Sequence, residues 1–217
     1  MHLEHHLLEI ATQRALKDDV SHDIHHLQRV LGLAKRIAES EGADMDVVIP
    51  AALFHDIVVY PKYDPRSEHE SEESAQMIEA ILAGIPEYPK EKIPMVGLAI
   101  RECSFGKGIT PELLESRVLQ DADRLEATGA VAIMRAFSSG GKWDRIFYHP
   151  VDPFCVDREP DAHKFTVDLF YKRLLVVGSL MTTSLGKELA KRRTEFLYAF
   201  LDEFALELEE STREESL

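Results

Sequence analysis

The stretch Asp44-Met45-Asp46-Val47-Val48-Ile49-Pro50-Ala51-Ala52-Leu53-Phe54-His55-Asp56-Ile57 is too uniformly apolar to be one face of a surface helix. With Asp44 as cap and Met45, Val48, Ala51, Ala52 and Leu53 as apolar positions, it predicts a helix that must be covered on all sides. Other helices therefore have to pack around it. Pro50 removes one backbone hydrogen bond and costs on the order of 3 kcal/mol unless a kink absorbs it. A kink is expected just before the run ends in the adjacent pair His55-Asp56.

The rest of the chain supplies amphipathic helices at the 3.6-residue period. A first helix is expected over 3–16, with a turn at Asp18-Asp19. The second runs over 23–41, with Leu27, Val30, Leu31, Ala34, Ile37 and Ala38 in one stripe and Gly42 as its stop. Further helices are expected over 71–83, ending at Gly84, and over 93–103. Thr110-Pro111 reads as a helix start. A helix over 118–128 is broken by Gly129 and continues over 130–137, until Ser138-Ser139-Gly140-Gly141 stops it. A long loop then leads to helices over 161–181 and 186–210, whose Phe165, Phe170, Phe196, Phe200 and Phe204 are expected in the core. No alternating strand pattern interrupts this series, so the fold class is all-α. The 217 residues suit one domain that buries roughly 70% of the surface of its unfolded chain.

Composition narrows the partners. A formal net charge of -14 disfavours DNA, RNA and acidic membranes, which are bound through clustered Lys and Arg. A small phosphorylated ligand stays compatible, because a metal and a few local cations outweigh the global field. Two cysteines, Cys103 and Cys155, are too few for a disulfide framework. With no membrane-length apolar run and no signal peptide, a soluble, cytoplasmic protein is expected.

Three of the expected helices offer ligand groups at or near an end: His26, the pair His55-Asp56, and Asp121 or Asp123. Two imidazoles and two carboxylates suit a divalent ion, with Mn or Mg favoured and Fe, Co, Ni or Zn accessible. Asp121 and Asp123 are about 200° apart around a helix, so only one can face a shared ion. Arg29, one turn from His26, suits a phosphate contact or a salt bridge to a carboxylate. The two-proline loop over 58–70 is well placed to cover a site. In it Lys62, Arg66 and His69 are candidate phosphate contacts, and Glu72 and Glu73 just beyond are candidates for positioning a water. Lys107, between Gly106 and Gly108, is a further candidate for an anion.

The motifs Asp23-x-x-His26-x-x-Arg29-Val30, Leu53-Phe54-His55-Asp56-Ile57 and Gln120-Asp121-Ala122-Asp123-Arg124-Leu125-Glu126 together resemble the HD superfamily of metal-dependent phosphohydrolases. Ser104-Phe105, Ala136-Phe137 and Asp152-Pro153-Phe154 are similar to segments of its stand-alone bacterial members, the YpgQ and YedJ type. The likeness extends over about 23–207. It implies a helical HD bundle within a single domain over 1–217, with an N-terminal helix at 1–20, the HD core at about 21–140 and C-terminal helices at about 160–210. It also implies that His26, His55, Asp56 and Asp123 hold the metal. The implied activity is hydrolysis of a small phosphate ester or anhydride, with a nucleotide as substrate. In that scheme Asp56 or Asp123 takes the proton of the attacking water, and Arg29, Lys107 or a cation of the loop stabilises the transition state. Relatives often carry a histidine where this chain has Cys103, which leaves any role of that imidazole unfilled. A di-iron oxygenase on the same fold and a non-catalytic nucleotide- or metal-sensing module are the alternatives, and the chain is expected to be a monomer or a homodimer.

Overall fold

A computed structural model describes residues 2–14, 23–60, 64–103 and 108–212 of the chain. The turn at Asp18-Asp19 and the side chains of His22, Lys62, Ser104, Phe105, Gly106 and Lys107 lie outside the described residues. The helices are α1 (His2–Arg14), α2 (Ile24–Glu41), α3 (Met45–Phe54), α4 (Glu70–Ala83), α5 (Ile93–Cys103), α6 (Leu114–Arg124), α7 (Gly129–Lys142), α8 (Leu175–Val177) and α9 (Ser184–Thr212). No strand occurs among the described residues, so the fold is all-α. None of these helices is long and apolar enough to cross a membrane.

The chain forms two compact units, Met1–Glu126 with Met181–Gly186, and Ala127–Leu180 with Lys187–Leu217. In the first, α3 is the central element and touches α1, α2, α4, α5 and α6. Val47, Val48, Ala51, Ala52, Leu53 and Phe54 are all buried along it, and α2 adds Val30, Ala34, Ile37 and Ala38. The ends of these helices follow local chemistry. Asp23 caps α2 by accepting from the His26 backbone N–H at 2.9 Å, and Gly42 ends it with φ of 76°. Asp44 caps α3 through the Asp46 N–H at 2.9 Å. Pro50 sits inside α3 and leaves the carbonyl of Asp46 without its usual helical donor. The buried Tyr88 hydroxyl donates to that carbonyl at 2.8 Å. A side chain from outside the helix thus offsets part of the proline's cost.

In the second unit, Ala132 and Ala136 of α7 pack with Val167, Phe170, Leu174, Leu197 and Leu201, and the rings of Phe170 and Phe200 stack at 5.6 Å. Phe196, expected in the core, is instead 51% exposed. A π-helical turn over Phe170–Leu174 leads into α8.

Three element boundaries differ from expectation. Thr110-Pro111 does not start a helix; α6 begins at Leu114, and its side chains hold the preceding extended backbone. Gln120 Nε2 donates to the Ile109 carbonyl and Arg117 Nε to the Pro111 carbonyl, both at 3.2 Å. Gly140-Gly141 does not stop α7, which continues to Lys142. A Cβ on Gly140 would lie 2.4 Å from Thr166 Oγ1, so this glycine admits a close neighbour rather than ending the helix. The segment from Asp161 is not helical at first, because Ile146 and Phe165 form a parallel bridge there.

Candidate metal centre

The four ligand-type residues come from three helices of the first unit. His26 stands in the first turn of α2, His55 and Asp56 at and just beyond the end of α3, and Asp123 near the end of α6. His26 is fully buried and His55 nearly so. Asp56 Oδ2 lies 3.5 Å from His26 Nε2 and 3.3 Å from His55 Nε2, while Asp123 Oδ1 lies 3.7 Å and 3.8 Å from the same two nitrogens. One donor atom from each of His26, His55 and Asp123 falls within 4.8 Å of the others. The expectation that only one of Asp121 and Asp123 faces the group matches this geometry: Asp121 turns away and accepts from the backbone N–H groups of Thr182 and Thr183 at 2.9 Å and 2.7 Å. It thereby ties the Thr182-Thr183 backbone to α6.

The ring orientations follow from their other nitrogens. His55 Nδ1 is 2.9 Å from the Ala52 carbonyl, which can only accept, so that nitrogen carries the proton. His26 Nδ1 is 3.2 Å from Glu126 Oε2, a carboxylate, and likewise donates. In each neutral ring the lone pair is therefore on Nε2, and both Nε2 atoms face carboxylate oxygens. The buried His55 Nε2 makes no hydrogen bond. Imidazole nitrogens and carboxylates this close are held together by positive charge, either a proton on Nε2 or a metal ion.

Burial works to lower the pKa of both imidazoles, yet neighbouring carboxylates raise His26 above its ordinary value and His55 well above it. Burial would raise the two aspartates, but the facing histidines hold Asp56 well below the ordinary carboxylate value and Asp123 at about 2. Two imidazole nitrogens with carboxylate oxygens are a donor set that suits a divalent cation; His26, His55 and Asp123 form the convergent group, and Asp56 lies beside the two histidines. The residues present therefore fit a metal.

The other expected site residues are placed as follows. Arg29 pairs with Glu126, through Nε at 2.9 Å and Nη2 at 2.7 Å. Glu73 Oε2 accepts from the Tyr60 hydroxyl at 2.6 Å. Arg66 forks onto Asp64 at 3.1 Å and 2.8 Å, and its guanidinium lies 4.3 Å from the centre of the Tyr60 ring. The loop after the His-Asp pair is tied to α4 by Val58 N–H on Ser74 Oγ and Tyr60 N–H on Glu70 Oε1. Lys62 and Lys107 are outside the described residues. Cys103 is buried at the end of α5, and burial together with the charges of Asp123 and Asp56 pushes its thiol well above the ordinary value. It remains a neutral thiol. Glu126 had no assigned role in the sequence, although its place three residues after Asp123, one helical turn on, was the available signal.

The HD domain family matches residues 23–128, the span from the α2 cap to just beyond Glu126. YpgQ of Bacillus subtilis is 34% identical over 194 residues, covering 87% of this chain and 86% of YpgQ. The crystal structure of YpgQ in complex with ADP superposes with a TM-score of 0.72 at 27% identity, over 95% of both chains. An HD-superfamily hydrolase of Bacillus thuringiensis superposes with a TM-score of 0.71 at 27% identity, over 96% of this chain and 97% of that one. The imidazoles and carboxylates that converge here lie within the matched span, and the likeness to YpgQ continues well beyond it: the chain belongs to the HD superfamily.

Proposed function

We propose that the protein is a metal-dependent phosphohydrolase that cleaves a small phosphate ester or anhydride, with a nucleotide as substrate and Mn or Mg as metal. The observation that carries this reading is the buried, hydrogen-bond-free His55 Nε2 aimed at Asp56 and Asp123. In this reading His26, His55, Asp56 and Asp123 hold the ion. When bound, the ion acidifies a water and neutralises charge on phosphoryl oxygens. The nucleotide is supported by the YpgQ structure with ADP.

The chain's own residues supply the rest. Ala52 and Glu126 fix the two rings with Nε2 toward the centre. A carboxylate oxygen of Asp56 or Asp123 is the acceptor for the proton of the attacking water. Arg66, Lys62 and Lys107 are proposed to contact phosphate, and Glu73 to position water; Arg66 and Glu73 would have to leave Asp64 and Tyr60 to do so. Both cysteines are free thiols, in keeping with a nucleotide-rich reducing cytoplasm.

The test is metal analysis of the purified protein, then release of phosphate or pyrophosphate from a nucleotide panel with added Mn. Release that requires the ion and is abolished by His55→Ala is the expected result. No release across the panel, or equal release by the variant, overturns the reading.

A further inference from the structure

Two imidazoles face the same centre, but their far sides are held differently. His55 Nδ1 rests on a neutral backbone carbonyl, that of Ala52 at 2.9 Å. His26 Nδ1 rests on the Glu126 carboxylate at 3.2 Å. Glu126 is 1% exposed, and a carboxylate that deep stays ionised only if charged donors surround it. Arg29 provides them: its Nε lies 3.2 Å and 2.9 Å from the two carboxylate oxygens, and its Nη2 lies 2.7 Å from Oε2. Oε2 thus receives His26 and two guanidinium N–H groups together.

The geometry points to Glu126 as a positioning residue for the metal centre, acting through His26, with Arg29 as the cation that keeps Glu126 in place. This inference rests on the metal reading above. Glu126 fixes which His26 nitrogen carries the proton, locks the ring's rotation, and makes Nε2 a stronger donor than an imidazole on a neutral acceptor. His26 and His55 are then unequal ligands. The assignment also moves Arg29 away from substrate: two of its nitrogens are committed to Glu126, so its contribution falls on metal affinity rather than on phosphate binding.

The experiment measures the Kd for Mn by calorimetry and the visible absorption spectrum of the Co-loaded protein. Both are read in wild type, Glu126→Gln, Glu126→Ala and Arg29→Lys, with circular dichroism to verify folding. Glu126→Ala is expected to weaken binding by about 10- to 100-fold and to alter the Co spectrum. Glu126→Gln keeps an acceptor oxygen and should fall between Ala and wild type. As a near-isostere it also keeps the test decisive should the alanine variant fail to fold. Arg29→Lys should weaken Mn binding in the same direction, because an ammonium cannot fork across the carboxylate. Folded Glu126 variants with the wild-type Kd and the wild-type Co spectrum would overturn the inference alone. A wild-type protein that binds neither ion would overturn the metal reading, and this inference with it.

Discussion

Two groups of carboxylates, one in each unit of the molecule, are treated in opposite ways. In the second unit Asp168 is fully buried and fully answered. Arg158 forks onto it, with Nη2 on Oδ1 at 2.7 Å, and the Asp161 N–H donates to Oδ2. In the first unit Asp56 and Asp123 face the Nε2 atoms of His26 and His55 instead of an arginine or backbone donors. The Asp168 cluster closes on itself and clips the 152–168 segment. The cluster around His55 stays open to a cation. A carboxylate supplied with its own arginine and backbone donors is architecture, whereas a pair facing two imidazoles at the end of a helix is a place for a cation.

The comparison breaks first at His55. His55→Ala is expected to lower activity by more than about 100-fold, beyond what loss of an outer hydrogen-bond partner costs. Steady-state nucleotide hydrolysis with saturating Mn measures it. Asp168→Asn is expected to cost about 3 kcal/mol in denaturant melts, because it leaves Arg158 without its carboxylate, and to leave the Mn Kd unchanged. A fall in Mn affinity in that variant would show that the clip is not purely structural.

Acid should act on the clip in a defined direction. Burial would raise Asp168, but Arg158 and the Asp161 N–H hold it below its ordinary value of 3.8. Its stabilising contribution is therefore fully present above that pH and is lost as pH falls further. Denaturation midpoints taken from pH 6 downward should drop more steeply in wild type than in Asp168→Asn.

Metal loading separates the regions from the other side. At 100 times its Kd, Mn should add about 2.7 kcal/mol to stability, a gain that a chelator removes and His55→Ala lacks. The smallest effect is expected at Tyr88. Tyr88→Phe removes the donor to the Asp46 carbonyl left open by Pro50, at a cost of about 1 kcal/mol with Mn binding intact.

Much of the fold could be read locally. The caps Asp23 and Asp44, the stop at Gly42 and the stripe from Leu27 to Ala38 act within one turn or one helix, and the structure has all of them where the pattern puts them. Glycines were misread where their purpose was distant: Gly140 looks like a stop, but it makes room for Thr166. Phe196 looks like core from its spacing, yet the long α9 turns it outward.

The site divides in the same way. By itself the sequence determined an all-helical chain with a dense apolar central helix ending in His55-Asp56, because periodicity and capping depend on neighbours a few residues apart. The resemblance of its motifs already pointed to Asp123 rather than Asp121; tertiary structure alone decided what Asp121 does instead, that Tyr88 reaches the carbonyl opened by Pro50, and that Glu126 meets His26. Those contacts join positions far apart in the chain, and their geometry is set by how α2, α3 and α6 pack, which no local pattern encodes.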